Sequence, residues 1–208
     1  MSNGLRPDLA AIAEVIPQGA RVLDIGCGDG ALLEHLAATK NVDGRGLELS
    51  QHNVNACVAR GLSVVQGDAD TDLGDDPAQI FDVAILSQTI QATRSPKTVL
   101  AALLRIGKLT AVSFPNFGHW RIRLSLLANG RMPQTRTLGY TWHETPNIHL
   151  CTIADFVALT EEVGGVVQSA LALRKDGHTQ AMQVHAWGPN LLAEGAIFFL
   201  RSKNAPST

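Results

Sequence analysis

The sequence predicts a single α/β domain built on a mostly parallel sheet, and three observations carry that expectation. Short apolar runs alternate with segments of helical period from Arg21 to Phe114. One of those runs, Val22-Leu23-Asp24-Ile25, leads directly into three glycines set one residue apart: Gly26, Gly28 and Gly30. Acids then stand near the ends of three successive predicted strands: Asp24, Glu48 and Asp68.

The elements follow in order. Leu5, Leu9, Ile12 and Ile16 recur at helical spacing, so an opening helix is expected to stop before Pro17. Arg21–Ile25 is the first strand, and Ala31–Thr39 a helix with Leu32, Leu33 and Leu36 on one face. Gly44–Leu49 is the second strand. A helix with Val54, Cys57 and Val58 inward then ends at Gly61. Leu62–Gln66 and Phe81–Leu86 are the third and fourth strands. Ser95-Pro96 reads as N-cap and first residue of a helix closing at Gly107, with Leu109–Phe114 the fifth strand. This βαβ rhythm implies parallel strands with helices on both faces.

After Pro115 the rhythm changes. His119–Ala128 reads as a helix ended by Asn129-Gly130, and Thr152–Val163 as another with Thr152 as N-cap. Between them residues 131–150 lack a period but hold Tyr140, Trp142, His143 and His149, so a lid or insertion is expected at 119–150. Val166–Leu173 and Ala196–Arg201 suit an antiparallel edge pair, giving with the five parallel strands a seven-stranded sheet. Residues 174–195 fit no element, and the tail Asn204–Thr208 reads as frayed.

The bulk numbers narrow the function classes. The 208 residues suit one domain, and the net charge of −2 with 17% charged residues argues against nucleic acid. Arg121, Arg123, Arg131 and Arg136 form the only basic cluster, too sparse for a phosphate backbone. No apolar run approaches the ~20 residues that cross a bilayer, and Met1 to Arg6 lacks a signal-peptide core. Cys27, Cys57 and Cys151 form no CxxC pair and read as reduced thiols, which suits the cytoplasm.

The glycine loop carries the chemistry. A strand entering a helix through such a loop brings backbone N–H groups close to a ligand. The nicotinamide fingerprint is GxGxxG, whereas the spacing here is GxGxG. Glu48 falls where an acid accepts the two hydroxyls of a ribose, and Asp68 where one accepts from an adenine amino group. Acids after three parallel strands converge on one crevice, because ligands in such sheets sit beyond the strands' carboxyl ends.

In this pattern the N-terminal half resembles the class I S-adenosylmethionine-dependent methyltransferases, which have a Rossmann-like fold. Their ligand has an amino-acid tail and no pyrophosphate, so Asp24 suits its ammonium and would repel a dinucleotide. The resemblance implies S-adenosylmethionine or S-adenosylhomocysteine as cofactor, with contacts at Asp24, Gly26, Gly28, Glu48 and Asp68, joined by Leu49, Ala69 and Ser87.

A methyl acceptor is harder to read. Leu86-Ser87-Gln88-Thr89 lacks the Asn/Asp-Pro-Pro-aromatic motif of base-methylating enzymes. His119, His143 and His149 are candidate general bases and Tyr140 a candidate pocket wall, each equally readable as a structural residue. No HxxxH or HExxH spacing supports a metal at His143, Glu144 and His149.

Longer strings extend the resemblance. Ser113-Phe114-Pro115-Asn116-Phe117-Gly118-His119-Trp120, Gly130-Arg131-Met132-Pro133 and Thr145-Pro146-Asn147-Ile148-His149-Leu150-Cys151-Thr152 are similar to the methionine biosynthesis protein MetW family, as is the opening Leu5-Arg6-Pro7-Asp8-Leu9. Leu138-Gly139-Tyr140 and His143-Glu144 depart from it, where the family typically has Leu-Pro-Tyr and Tyr-Asp. The resemblance spans residues 5 to 201. It implies a role in methionine synthesis beside homoserine O-acetyltransferase or succinyltransferase. Three functions stay open: a ligand-binding regulator of that enzyme, an active small-molecule methyltransferase, and a nicotinamide oxidoreductase.

Overall fold

The computed structural model describes residues 4–74, 77–135 and 138–203. Arg136 of the basic cluster and the tail Asn204–Thr208 lie outside the described residues.

The first half alternates as expected: α1 (Pro7–Val15), β1 (Arg21–Ile25), α2 (Ala31–Lys40), β2 (Asp43–Glu48), α3 (Gln51–Ala59), β3 (Ser63–Gln66) and β4 (Phe81–Ser87). A short 3-10 turn at Ile90–Ala92 precedes α4 (Pro96–Ile106) and β5 (Gly107–Pro115). The second half contributes α5 (Trp120–Asn129), α6 (Ile153–Glu162), β6 (Gly165–Leu173), β7 (Thr179–Ala181), α7 (Trp187–Leu192) and β8 (Gly195–Ser202).

All eight strands join one sheet in the order β3-β2-β1-β4-β5-β8-β6-β7. The first five are parallel, whereas β8 runs antiparallel to both β5 and β6. The expected antiparallel pair therefore forms beside β5, with one difference: an eighth strand takes the edge. That strand, β7, arises where Asp176-Gly177 turns the chain back on β6, pairing Leu173 with Thr179 in the unplaced 174–195 region.

Alternation along the strands divides the core. Val83 and Ile85 of β4 pack with Ile12 of α1 and Leu32 and Leu36 of α2, while Ala84 and Leu86 face Leu100 and Leu103 of α4. Phe114, Phe156 and Phe198 join β5, α6 and β8, with ring centroids 4.6–5.8 Å apart. Ile197–Leu200, an apolar run that the sequence alone leaves open between core and partner face, is wholly buried and is core. α5 does expose apolar residues, Trp120, Leu124 and Leu127. Val58 of α3, expected inward, is exposed; Val54 and Cys57 make the inward contact.

Helix ends match the sequence at one point and differ at another. Thr152 and Asp155 form a reciprocal capping box at the start of α6. Ser95 makes no side-chain cap on α4; its N–H and that of Arg94 donate instead to the Asp70 carboxylate, each at 2.8 Å.

Candidate functional site

β1 ends against β2, where the Gly26 N–H donates to Leu47 O at 2.7 Å. Gly26 then turns the chain at φ +67°, in the left-handed region. A Cβ there would lie 2.4 Å from Thr89 Oγ1, so the loop and the segment after β4 approach too closely for any side chain. Gly28 also needs a positive φ, +58°, but opens onto free space.

Glu48 closes this loop from β2. Its Oε2 accepts from Gly28 N–H at 2.8 Å and its Oε1 from Ser50 N–H at 2.9 Å. Each carboxylate oxygen keeps a second lone pair for a further donor.

A cavity of about 420 Å³ opens at the carboxyl ends of β1, β2 and β3. It gathers Gly26, Glu48, Leu49, Asp68 and Ala69 from the predicted set. Thr89 and Arg94 border it after β4, and Pro146 and Asn147 border it from the 131–150 region. That region is tied down at Gln91, whose carbonyl accepts from Ile148 and His149 N–H at 2.9 and 3.0 Å. Asp68 is engaged: Oδ2 pairs with the Arg94 guanidinium, and Oδ1 accepts from Asp70 N–H at 2.9 Å. Burial opposes the charge on Asp70, but the two N–H donors and Arg94 outweigh it and hold that carboxyl below its ordinary range.

Three predicted contacts do not line this cavity: Gly28 in the loop, and Asp24 and Ser87, which are buried at the ends of β1 and β4. Asp24 is 2% exposed, and its Oδ1 has no hydrogen-bond partner among the described residues. Burial pushes its carboxyl up to about 7; Arg6 opposes the shift, and Glu48 and Asp8 add to it. Ser87 Oγ accepts from Arg6 Nη2 at 2.7 Å, donates to Asp8 Oδ2 at 2.9 Å and lies 3.1 Å from Ser113 Oγ. The start of α1 thus reaches into the same end of the sheet.

The candidate bases lie elsewhere. None of His119, Tyr140, His143 and His149 lines the glycine-loop cavity. Tyr140 and His143 are exposed, the latter edge-on to Trp142 with ring centroids 5.4 Å apart. His149 Nε2 lies 3.4 Å from Arg94 O. His119 is buried at the N-cap of α5, where Nδ1 accepts from Arg121 N–H at 3.4 Å. Burial lowers its pKa, an effect that Glu194 opposes. It lines a separate cavity of about 900 Å³ between the start of α5, the β6–β7 hairpin and α7.

Comparison with known proteins decides the family. The profile described as "Methionine biosynthesis protein MetW" matches residues 6–200. The chain belongs to the MetW family. A relative from Rhodopirellula baltica, the "Bifunctional methionine biosynthesis protein MetXA/MetW", is 32% identical over 213 residues. That alignment covers 96% of this chain but 33% of the relative, so the chain spans about a third of that protein's length. Solved structures share the fold. An S-adenosylmethionine-dependent methyltransferase from Mesorhizobium loti superposes with a TM-score of 0.67 at 16% identity, covering 97% of this chain and 100% of that one. A possible histamine N-methyltransferase from Thermotoga maritima gives 0.66 at 16% identity, covering 95% and 88%. The protein therefore has the class I methyltransferase fold and belongs to a methionine biosynthesis family.

Within this MetW-family chain, the residues that sequence reasoning missed are Arg6, Asp8, Ser113 and Arg94. Asp8 reads locally as an ordinary acid in a helix's first turn. Its burial follows from contacts with Ser87 and Ser113, 79 and 105 residues away, which no local pattern carries.

Proposed function

We propose that the protein binds S-adenosylmethionine or S-adenosylhomocysteine in the glycine-loop crevice and acts with homoserine O-acetyltransferase or succinyltransferase in methionine synthesis, in the cytoplasm. The observation that carries the binding is the convergence of Gly26, Glu48 and Asp68 on one cavity lined also by Ile25, next in sequence to Asp24, whose Oδ1 has no hydrogen-bond partner among the described residues. These groups fit such a ligand. A buried carboxyl oxygen with no partner suits an ammonium, Glu48 has lone pairs left for hydroxyls, and the glycine backbone leaves room for close approach. Asp68 can accept from an amino group only by sharing its oxygens with Arg94 and Asp70.

When bound, the ligand supplies an electrophilic methyl group or, once demethylated, none. The chain's own part is to orient the ligand and limit water, with residues 119–150 as a lid whose Pro146 and Asn147 border the cavity. The partnership rests on the family and on the relative that carries MetXA and MetW in one bifunctional chain. If ligand and partner are coupled, each changes the other's affinity by the same factor. The experiment is to measure acyltransferase affinity with and without S-adenosylhomocysteine. A shift supports a regulatory subunit, and no shift refutes coupling.

A second reading, active methyl transfer to a small molecule, is favoured by one observation. The cavity of about 900 Å³ at His119 is large enough for an acceptor and holds a buried imidazole, but it shares no lining residue with the glycine-loop cavity, so transfer requires a movement that joins the two. Label transfer from S-adenosylmethionine to a cell-extract metabolite, lost in His119→Ala, would support it.

A further inference from the structure

We propose that Arg6 is a ligand-binding residue, pairing with the carboxylate of the ligand's amino-acid tail and forming, with Asp24, a receptor for an α-amino-acid zwitterion. This rests on the reading of the crevice as an S-adenosylmethionine or S-adenosylhomocysteine site.

The argument begins with Asp8. A carboxylate only 2% exposed is costly unless its charge is paired and its lone pairs are filled. Both conditions hold. Ser113 and Ser87 donate to Oδ2 at 2.7 and 2.9 Å, while Arg6 Nε and Nη2 donate to the two oxygens at 3.2 Å each. Burial works against the charge, but Arg6 and the hydroxyls win, so the Asp8 carboxyl is held below its ordinary range. Asp8 is thus a fixed anion whose partner is a fixed guanidinium.

Arg6 is pinned on one side only. Nε and Nη2 face Asp8, and Nη2 also donates to Ser87 Oγ at 2.7 Å. Nη1 takes no hydrogen bond among the described residues, and the side chain stays 50% exposed. A guanidinium serving only to tie α1 to β4 would not need an open edge, whereas one receiving a carboxylate does.

Arg6, Asp24 and Ser87 do not themselves line the glycine-loop cavity, but Asp24 and Ser87 adjoin Ile25 and Gln88, which do. Ser87 ends β4, which pairs with β1 so that Asp24 stands opposite Ile85 and Ile25 opposite Leu86. Arg6 is also the group whose positive charge acts on Asp24. The other cation of the region, Arg94, is committed to Asp68 and Asp70. Near Asp24 the acids Asp8 and Glu48 would repel a ligand carboxylate, so the open edge of Arg6 is what makes the tail acceptable. Asp8, Ser87 and Ser113 are positioning residues that hold this edge in place.

The test compares three ligands by calorimetric titration: S-adenosylmethionine, its decarboxylated form, and 5′-methylthioadenosine, which lacks the whole tail. Wild-type protein should bind S-adenosylmethionine roughly 10- to 150-fold more tightly than the decarboxylated form, as for a charge-assisted hydrogen-bond pair. Arg6→Ala should abolish that preference without weakening methylthioadenosine, which has no tail to meet Arg6 or Asp24, and Arg6→Lys should recover part of it. Equal weakening of all three ligands in Arg6→Ala would mean a structural role and overturn the proposal. Wild-type protein that binds S-adenosylmethionine and its decarboxylated form equally overturns it alone. Wild-type protein that binds none of the three overturns the crevice reading as well.

Discussion

Glu48 holds the glycine loop shut from the neighbouring strand, its Oε2 accepting the Gly28 N–H at 2.8 Å. The same carboxylate borders the cavity, so it both shapes the loop and faces the ligand. Glu48→Ala is expected to weaken S-adenosylhomocysteine binding roughly 10- to 150-fold, the worth of ~1.5–3 kcal/mol for hydrogen bonds to a charged group. Calorimetric titration checks this, and an unchanged Kd removes Glu48 from the site.

Asp24 makes the protein sensitive to pH near neutrality. Its folded pKa of about 7 lies above the ordinary value of 3.8, so between those values the folded state holds a proton that the unfolded state has lost. Its contribution is fully present below about 4 and declines as pH rises toward 7, with a slope of at most ~1.4 kcal/mol per unit. Asp24→Asn should remove this decline, seen as a flatter curve of unfolding free energy from pH 4 to 7. Parallel curves would contradict the burial of an ionisable group there.

Ligand binding should show the opposite slope. An ammonium beside Asp24 favours the ionised carboxylate, so binding below pH 7 must release a proton. Affinity for S-adenosylhomocysteine is expected to rise by up to about tenfold per unit as pH approaches 7, and to lose that dependence in Asp24→Asn. Titrations in buffers of different ionisation enthalpy count the proton directly, and a count of zero refutes the pairing.

Asp70 links the site to α4. It accepts the Arg94 and Ser95 N–H groups just ahead of Pro96, anchoring the chain that enters α4 rather than capping the helix's own N–H groups. Asp70→Ala is expected to destabilise the protein by ~1.5–3 kcal/mol, as for loss of hydrogen bonds to a charged group. Because its folded pKa is lowered, the wild-type advantage is present above 3.8 and lost as pH falls below it. Denaturant unfolding at pH 7 and pH 3 separates the two, and an equal deficit at both would contradict an ionised anchor at Asp70.

Thr152→Ala serves as the control. Removing half of a capping box that does not line the cavity should cost ~0.5–2 kcal/mol of stability, about 2–4 °C of Tm per kcal/mol for a domain of this size. Ligand affinity should stay the same. A variant that loses affinity would show that α6 is coupled to the crevice.

The parts of this structure legible in the sequence are those set by local chemistry. The loop from Asp24 to Gly30, the Thr152 cap and the stop at Gly130 each follow from a few neighbouring residues. The nearly continuous apolar run of β4 also suits a strand buried on both faces. What stayed hidden depends on distant pairing. Ile197–Leu200 is an apolar run that reads equally as core or partner face until β8 is placed between β5 and β6. Likewise, nothing near Arg6 or Asp8 announces Ser87 and Ser113 as their partners. Motif spacing brings the acids of β1, β2 and β3 together, but the cation acting on Asp24 is Arg6, which precedes α1 and belongs to no such motif.

The central claim is that the glycine-loop crevice holds an adenosyl amino acid. Titration of the purified protein with S-adenosylhomocysteine tests it most directly. The account predicts saturable one-to-one binding that is weakened in Glu48→Ala and retained in Thr152→Ala. No binding by correctly folded wild-type protein, or binding indifferent to Glu48, would contradict it.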